Sequence, residues 1–348
     1  MVTELYLLFF ILLFLLLIRE LKVISTNQFN FFSFMLLMGL IVFKDGSVLP
    51  DYHMYKYNYE ASLNGYFIPT MEISYFFISI LVSIFNDLGF YFLLGVYGII
   101  PLYIFQKLVK QTSYPELSTL LFFSNFFLIF LLIQIRGGVS LFLIYMALLN
   151  RNKLKLFFIY FFTAVFFHYS ALFYFPLLFI DKFKLSKKKI TILIISAFLI
   201  KNFIANGLSF LIDILPYSYI TSKLLTYTLT ERVSQFPINL FGFFILSKLF
   251  LLFVFVYKLD LFNKNNLLKT YLKLYVLGIF VYISLSGIPE FAVRLSNILF
   301  LSEIFLIPYL INFFKQQKFI KMLIILFAFI MFYVNLNYTS YFNYTIPI

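Results

Sequence analysis

The chain has no cysteine and no tryptophan, two histidines, and only 12% charged residues in a length of 348. Without cysteine there can be no disulfide, no thiolate nucleophile and no cysteine-held metal. Two histidines, His53 and His168, argue against a His-ligated metal site as well. Acidic residues are scarce, 14 against 27 Lys and Arg. The excess positive charge is not a nucleic-acid surface, because the basic residues fall in short clusters between apolar runs rather than on one basic domain.

Apolar residues make up the rest. At 63% hydrophobic and a mean hydropathy of +0.98, the chain is no water-soluble globule. Runs near the ~20 residues needed to cross a bilayer recur from end to end. They fall at 5–18, 29–43, 88–106, 117–134, 138–149, 155–168, 170–180, 189–200, 238–257, 270–286, 292–312 and 319–336. The expected fold is therefore an all-α membrane protein of about twelve transmembrane helices, forming a single integral membrane domain over residues 1–348. The first run lacks a basic n-region and a small-x-small cleavage site, so it reads as a retained span rather than a signal peptide.

The clusters Arg19/Lys22, Lys107/Lys110, Arg151/Lys153/Lys155, Lys182 to Lys189, Lys258/Lys264/Lys269 and Lys315/Lys318/Lys321 occupy alternate connections. The positive-inside rule puts them in the cytoplasm and both termini outside. Ile73–Phe85 is apolar but short. Counting it as a span would invert everything after it, so it is read as a re-entrant or interfacial helix entered through Pro69 and Glu72. Two longer outer loops are expected at about 44–72 and 202–237.

With that topology the unusual polar residues share the outer side. Asp45 and Asp51 follow the second span, Arg136 joins the fourth and fifth, His168 ends the sixth, and Glu290 and Arg294 lie in a late turn. Arginine suits a diphosphate because its planar fork donates in a bidentate way and stays charged. Gly137 and Gly138 would let backbone N–H groups at a helix start approach the same anion. A carboxylate or His168 could take a proton from a sugar hydroxyl. The tyrosines of the outer loops, among them Tyr52, Tyr55, Tyr57, Tyr59, Tyr66, Tyr217, Tyr219 and Tyr227, could stack on sugar faces. Each feature also has a plainer reading. An arginine can snorkel to lipid phosphate, a Gly pair can serve helix packing, tyrosines can form an interfacial belt, and a lone histidine can cap its helix. Their coincidence on one side carries the functional reading.

Four stretches in order resemble the EpsG/Wzy-type polysaccharide polymerases. Phe43-Lys44-Asp45-Gly46 … Pro50-Asp51-Tyr52 … Tyr55 resembles that family's Arg-Asp … Pro-Asp-Tyr … Tyr segment. Gln134-Ile135-Arg136 and the glycine after it resemble its Gln-x-Arg-Gln-Gly motif. Phe167-His168-Tyr169-Ser170-Ala171-Leu172, with Pro176 behind, is similar to its Phe-His-x-Ser segment, and Arg294 to an arginine opening a late span. The likeness covers roughly residues 30–310. Lys44 stands where the family has arginine, and Gly137 where it often has glutamine. The resemblance implies a metal-independent, glycosyltransferase-C-like polymerase without cofactor. It would move a growing O-antigen or exopolysaccharide chain from undecaprenyl diphosphate onto a lipid-linked repeat unit, at the periplasmic face of a bacterial inner membrane. Donor, acceptor and lipid bilayer are the expected partners, with a chain-length regulator as a further one.

On this reading His168, Asp51 and Arg136 are the candidate catalytic residues, with His168 and Asp51 nearly level as base. Arg136, Arg294, Asp45, Tyr52, Tyr55, Gln134, Tyr169 and Glu290 are the candidate substrate contacts. The competing readings are a flippase for lipid-linked oligosaccharide, for which the mid-span charges Lys248 and Glu303 matter, and another glycan-modifying membrane transferase.

Overall fold

Caps and breakers in the sequence set the helix ends in the computed structural model. Ser25 starts the second helix with a capping box: its hydroxyl accepts from the Gln28 N–H, and the Gln28 side chain accepts from the Ser25 N–H at 2.8 Å. Asn265 caps a later helix by accepting from Leu267 and Leu268 N–H. Proline opens two others at Pro115 and Pro289, where the missing N–H costs nothing. The structure describes residues 2–338 except 45, 47, 48, 50, 69, 70 and 215–237.

Among the described residues every regular element is helical. In chain order these are α1 (Val2–Glu20), α2 (Thr26–Phe43), α3 (Tyr52–Leu63), α4 (Ile73–Val82), α5 (Gly89–Val109) and α6 (Pro115–Leu121). A π-helical run, Phe122–Ile133, continues α6, and α7 (Ile135–Leu149) and α8 (Leu154–Phe167) follow. A 3-10 run over Tyr169–Lys182 leads to α9 (Lys187–Ile214). Then come α10 (Phe243–Tyr257), α11 (Leu259–Asn263), α12 (Asn266–Ser284), α13 (Pro289–Phe300), α14 (Glu303–Tyr309) and α15 (Gln317–Tyr338). They group into two compact units, 1–178 with 307–348, and Phe179–Leu306.

Among the described residues six stretches are long and apolar enough to cross a membrane, and α13 with the helix after it, bent by 47°, makes a seventh if counted as one span. The protein is thus a multi-pass membrane protein, but about twelve spans exceeds what these lengths establish. The reason is local. α7, α8 and α10 have 15, 14 and 15 residues, which at 1.5 Å per residue cover only about 22 Å of a ~30 Å core. The run at 170–180 is wound as a 3-10 helix of 14 residues, whose longer rise reaches about 28 Å. The loops differ as well. The first contains α3, and α9 runs on to Ile214 where a loop from residue 202 was expected.

In the first unit, residues 116–133 are wholly buried. The π winding is visible in the Gln134 N–H donating to Ile129 O, five residues back, at 2.8 Å. Asn335 of α15 braces the run, donating to Ser124 O at 3.1 Å and Asn125 Oδ1 at 3.0 Å. α4 and α5 form a hairpin: Ser74 and Tyr97 hydroxyls lie 3.4 Å apart although 23 residues separate them. The reversal is made at Ser83–Leu88, where Asn86 takes a positive φ of 49°. A side chain at Gly89 would strike the Tyr59 hydroxyl at 2.1 Å, so only glycine lets α3 close on this turn. The expected interfacial or re-entrant helix is therefore the short arm of a hairpin, with Glu72 at its base.

In the second unit Gly278 of α12 admits the Phe300 ring of α13, which a Cβ would meet at 2.9 Å. The ammonium of Lys273 donates to Ile180 O at 2.9 Å, closing the 3-10 run. Lys248 and Glu303 pair with one another inside this unit.

Candidate functional site

Helix ends leave backbone groups that their own helix cannot pair. In the first unit, several such ends meet. Arg136 is in the first turn of α7, His168 directly follows α8, Glu72 directly precedes α4, Asp51 precedes α3 and Lys44 follows α2.

Glu72 joins them. One carboxylate oxygen pairs with Arg136 Nη1, and the other lies 2.6 Å from His168 Nδ1. The Glu72 side chain is 5% exposed, against 26% for His168. Burial alone would push the Glu72 carboxyl up, but the His168 hydrogen bond and the Arg136 charge outweigh it and hold it at about 2. It is therefore a carboxylate that accepts from both partners. Arg136 lies over the Tyr55 ring with Cζ 5.4 Å from its centroid. Its Nε is buried with no hydrogen-bond partner among the described residues.

An aromatic stack fixes the surroundings. Tyr55 of α3 stacks on Tyr75 of α4 at 5.9 Å, Tyr75 meets Tyr97 of α5 at 5.8 Å, and Tyr97 meets Phe167 of α8 edge-on at 5.7 Å. Tyr75 also donates to the Tyr55 carbonyl at 2.7 Å. Since Phe167 immediately precedes His168, this stack sets where the imidazole begins. At the rim, buried Lys44 donates to Leu132 O at 2.6 Å. Burial pushes its ammonium down to about 7, while the nearby Asp51 carboxylate pulls it up.

The structure thus brings Arg136, His168 and Tyr55 together, with Asp51 close enough to act electrostatically on Tyr55. Gln134 occupies the break between the π run and α7, and its carbonyl accepts from Gly138 N at 2.9 Å. The Gly137-Gly138 pair divides. A Cβ on Gly138 would lie 2.3 Å from Phe130 O, so that glycine serves close packing, whereas Gly137 makes only ordinary contacts. Tyr52 packs edge-on to Phe90 at 5.4 Å and fills the space beside Gly46, and Tyr169 stands exposed in the 3-10 run after His168. Arg294 belongs to the second unit and pairs with Glu290 one turn earlier on α13, Nε to Oε2 at 2.9 Å. Asp45 lies outside the described residues, as do Tyr217, Tyr219 and Tyr227.

The sequence marks Glu72, the centre of the cluster, only as the entry to an interfacial or re-entrant helix. The available signal was an acidic residue placed directly before an apolar run, in a chain with few acids. Its partners are 64 and 96 residues away, so no local motif reports them.

No curated protein and no solved structure matches the chain. A family model described as the EpsG family matches residues 27–347, nearly the whole chain, and the protein belongs to that family.

Proposed function

We propose that the protein is a polysaccharide polymerase that transfers a growing glycan from undecaprenyl diphosphate to a lipid-linked repeat unit at the outer face of the plasma membrane. Membership of the EpsG family suggests a Wzy-like polymerase of membrane polysaccharide biosynthesis. The observation that supports this reading most is the Glu72-linked pair of Arg136 and His168, an anion-binding fork beside an imidazole at converging helix ends.

In the proposed reaction the acceptor hydroxyl gives its proton to a base, His168 or Asp51, and its oxygen attacks the anomeric carbon. The bond from that carbon to the donor phosphate breaks, and the diphosphate leaves with the electron pair. Arg136 offsets the charge that grows on the leaving oxygen. The orientation that goes with this reading has both termini outside, and a chain-length regulator is a candidate partner.

The test is a glycan ladder from cells whose only copy of the gene encodes a variant. Arg136→Lys keeps the charge but loses the fork and should remove most polymer, and His168→Ala should stop polymerisation, both at normal membrane levels. Wild-type ladders from both variants would sink the reading. Loss of single repeat units as well as polymer would favour a flippase.

A further inference from the structure

The feature that the proposed reaction does not yet use is the carboxylate shared by two of its residues. We infer that Glu72 is the positioning residue of this centre: it fixes the His168 proton on Nδ1, leaving the lone pair on Nε2, and so makes His168 rather than Asp51 the base. This inference rests on the polymerase reading above.

An ionised carboxylate only accepts hydrogen bonds. A neutral imidazole whose Nδ1 faces that carboxylate must therefore carry its proton there, and Nε2 becomes the acceptor. Among the described residues only Nδ1 of the ring is hydrogen-bonded, and the side chain is partly exposed while Glu72 is buried. Nε2 is thus the nitrogen left to take a proton from an acceptor hydroxyl. The resulting imidazolium would be stabilised by the same carboxylate. Asp51 is differently placed, because its nearby cation is Lys44.

Among the described residues, the other titratable groups around the pair are Tyr55 from α3, Tyr75 from α4, Tyr97 from α5 and Arg136 from α7, and the Asp51 carboxylate at the start of α3 acts on Tyr55. Arg136 occupies the other Glu72 oxygen, which keeps the carboxylate from rotating away from the ring. One side chain therefore sets both the base and the anion-binding fork.

The chain's two histidines make the test direct. Detergent-solubilised protein labelled with 15N-histidine, in a His53→Gln background, gives one imidazole whose ring nitrogen shifts report the tautomer. In wild-type Glu72 protein above the titration of the ring, the Nδ1–H form should exceed the Nε2–H form by about tenfold. Glu72→Gln, whose amide can donate as well as accept, should reduce that excess and shorten the glycan ladder, while Glu72→Asp should keep part of both. A ring protonated mainly on Nε2 in the wild-type protein overturns the inference, whether or not the variants fold. Unchanged tautomers in a folded Glu72→Gln protein do the same. Either result leaves the polymerase reading intact if the His168→Ala and Arg136→Lys ladders collapse. Normal ladders in those two variants defeat the polymerase reading whatever the tautomer.

Discussion

The Lys44 ammonium donates to the Leu132 carbonyl, 2.6 Å away and 88 residues along the chain. That carbonyl is next to last in the π run, four residues before Arg136. The ammonium supplies a hydrogen bond that the end of a helical segment cannot make for itself, and so fixes the corner from which α7 starts. A lysine that reads as a lost arginine in a motif is, in three dimensions, a cap.

Replacing Lys44 with Met should leave the Leu132 carbonyl unpaired in a buried place, at a cost of about 1–3 kcal/mol. Thermal unfolding in detergent should show the loss, and the glycan ladder should shorten because Arg136 shifts. Lys44→Arg retains a donor and should retain most polymer. A Met variant as stable and as active as the parent would remove the capping role.

Lys248 and Glu303 test the transport alternative. Their side chains are 0% and 3% exposed, and the ammonium also lies 4.9 Å from the Phe244 ring centroid and 5.1 Å from that of Phe300. Removing one partner strands a buried charge, so Lys248→Met alone should destabilise by about 3–5 kcal/mol. The double variant Lys248→Met/Glu303→Leu should recover most of that. Normal polymer from the folded double variant makes the pair structural; a folded double variant that no longer delivers lipid-linked units would make it a transport element.

Acid should weaken the Glu72 cluster. The Glu72 carboxyl is held at about 2 against an ordinary 4.5. Between those values the unfolded chain binds the extra proton, so stability rises with pH there. The contribution is complete above about pH 4.5 and lost as pH falls through about 2. Its size is on the order of 3 kcal/mol at most. Unfolding curves from pH 7 to pH 3 should show wild type losing stability relative to Glu72→Gln below about pH 4.5. Parallel curves would mean that the carboxylate gains nothing from its two partners.

Sidedness can be measured without background, because the chain has no cysteine. A cysteine replacing exposed Tyr66, in the loop before Glu72, should react with an impermeant maleimide in intact cells. One replacing Lys110 should react only after permeabilisation. The reverse pattern would put the Arg136 cluster on the cytoplasmic side and end the polymerase assignment.

Hydropathy is a property of neighbouring residues, so the sequence by itself determined the membrane class, the helical architecture and most helix ends to within a few positions. The capping box at Ser25 and the stop at His168 show how local those signals are. The four motifs determined the family for the same reason, being short and contiguous. About twelve spans goes beyond the helix lengths because an apolar run does not disclose where the helix within it starts and stops: α7, α8 and α10 have only 14 or 15 residues. Only the tertiary structure decided that Glu72 joins Arg136 to His168, that Gly138 serves packing, and that Lys248 and Glu303 answer one another. Glu72 meets partners 64 and 96 residues away, Lys248 meets a residue on another helix, and Gly138 packs where the π run turns into α7; each depends on how helices pack in space, which no local pattern encodes.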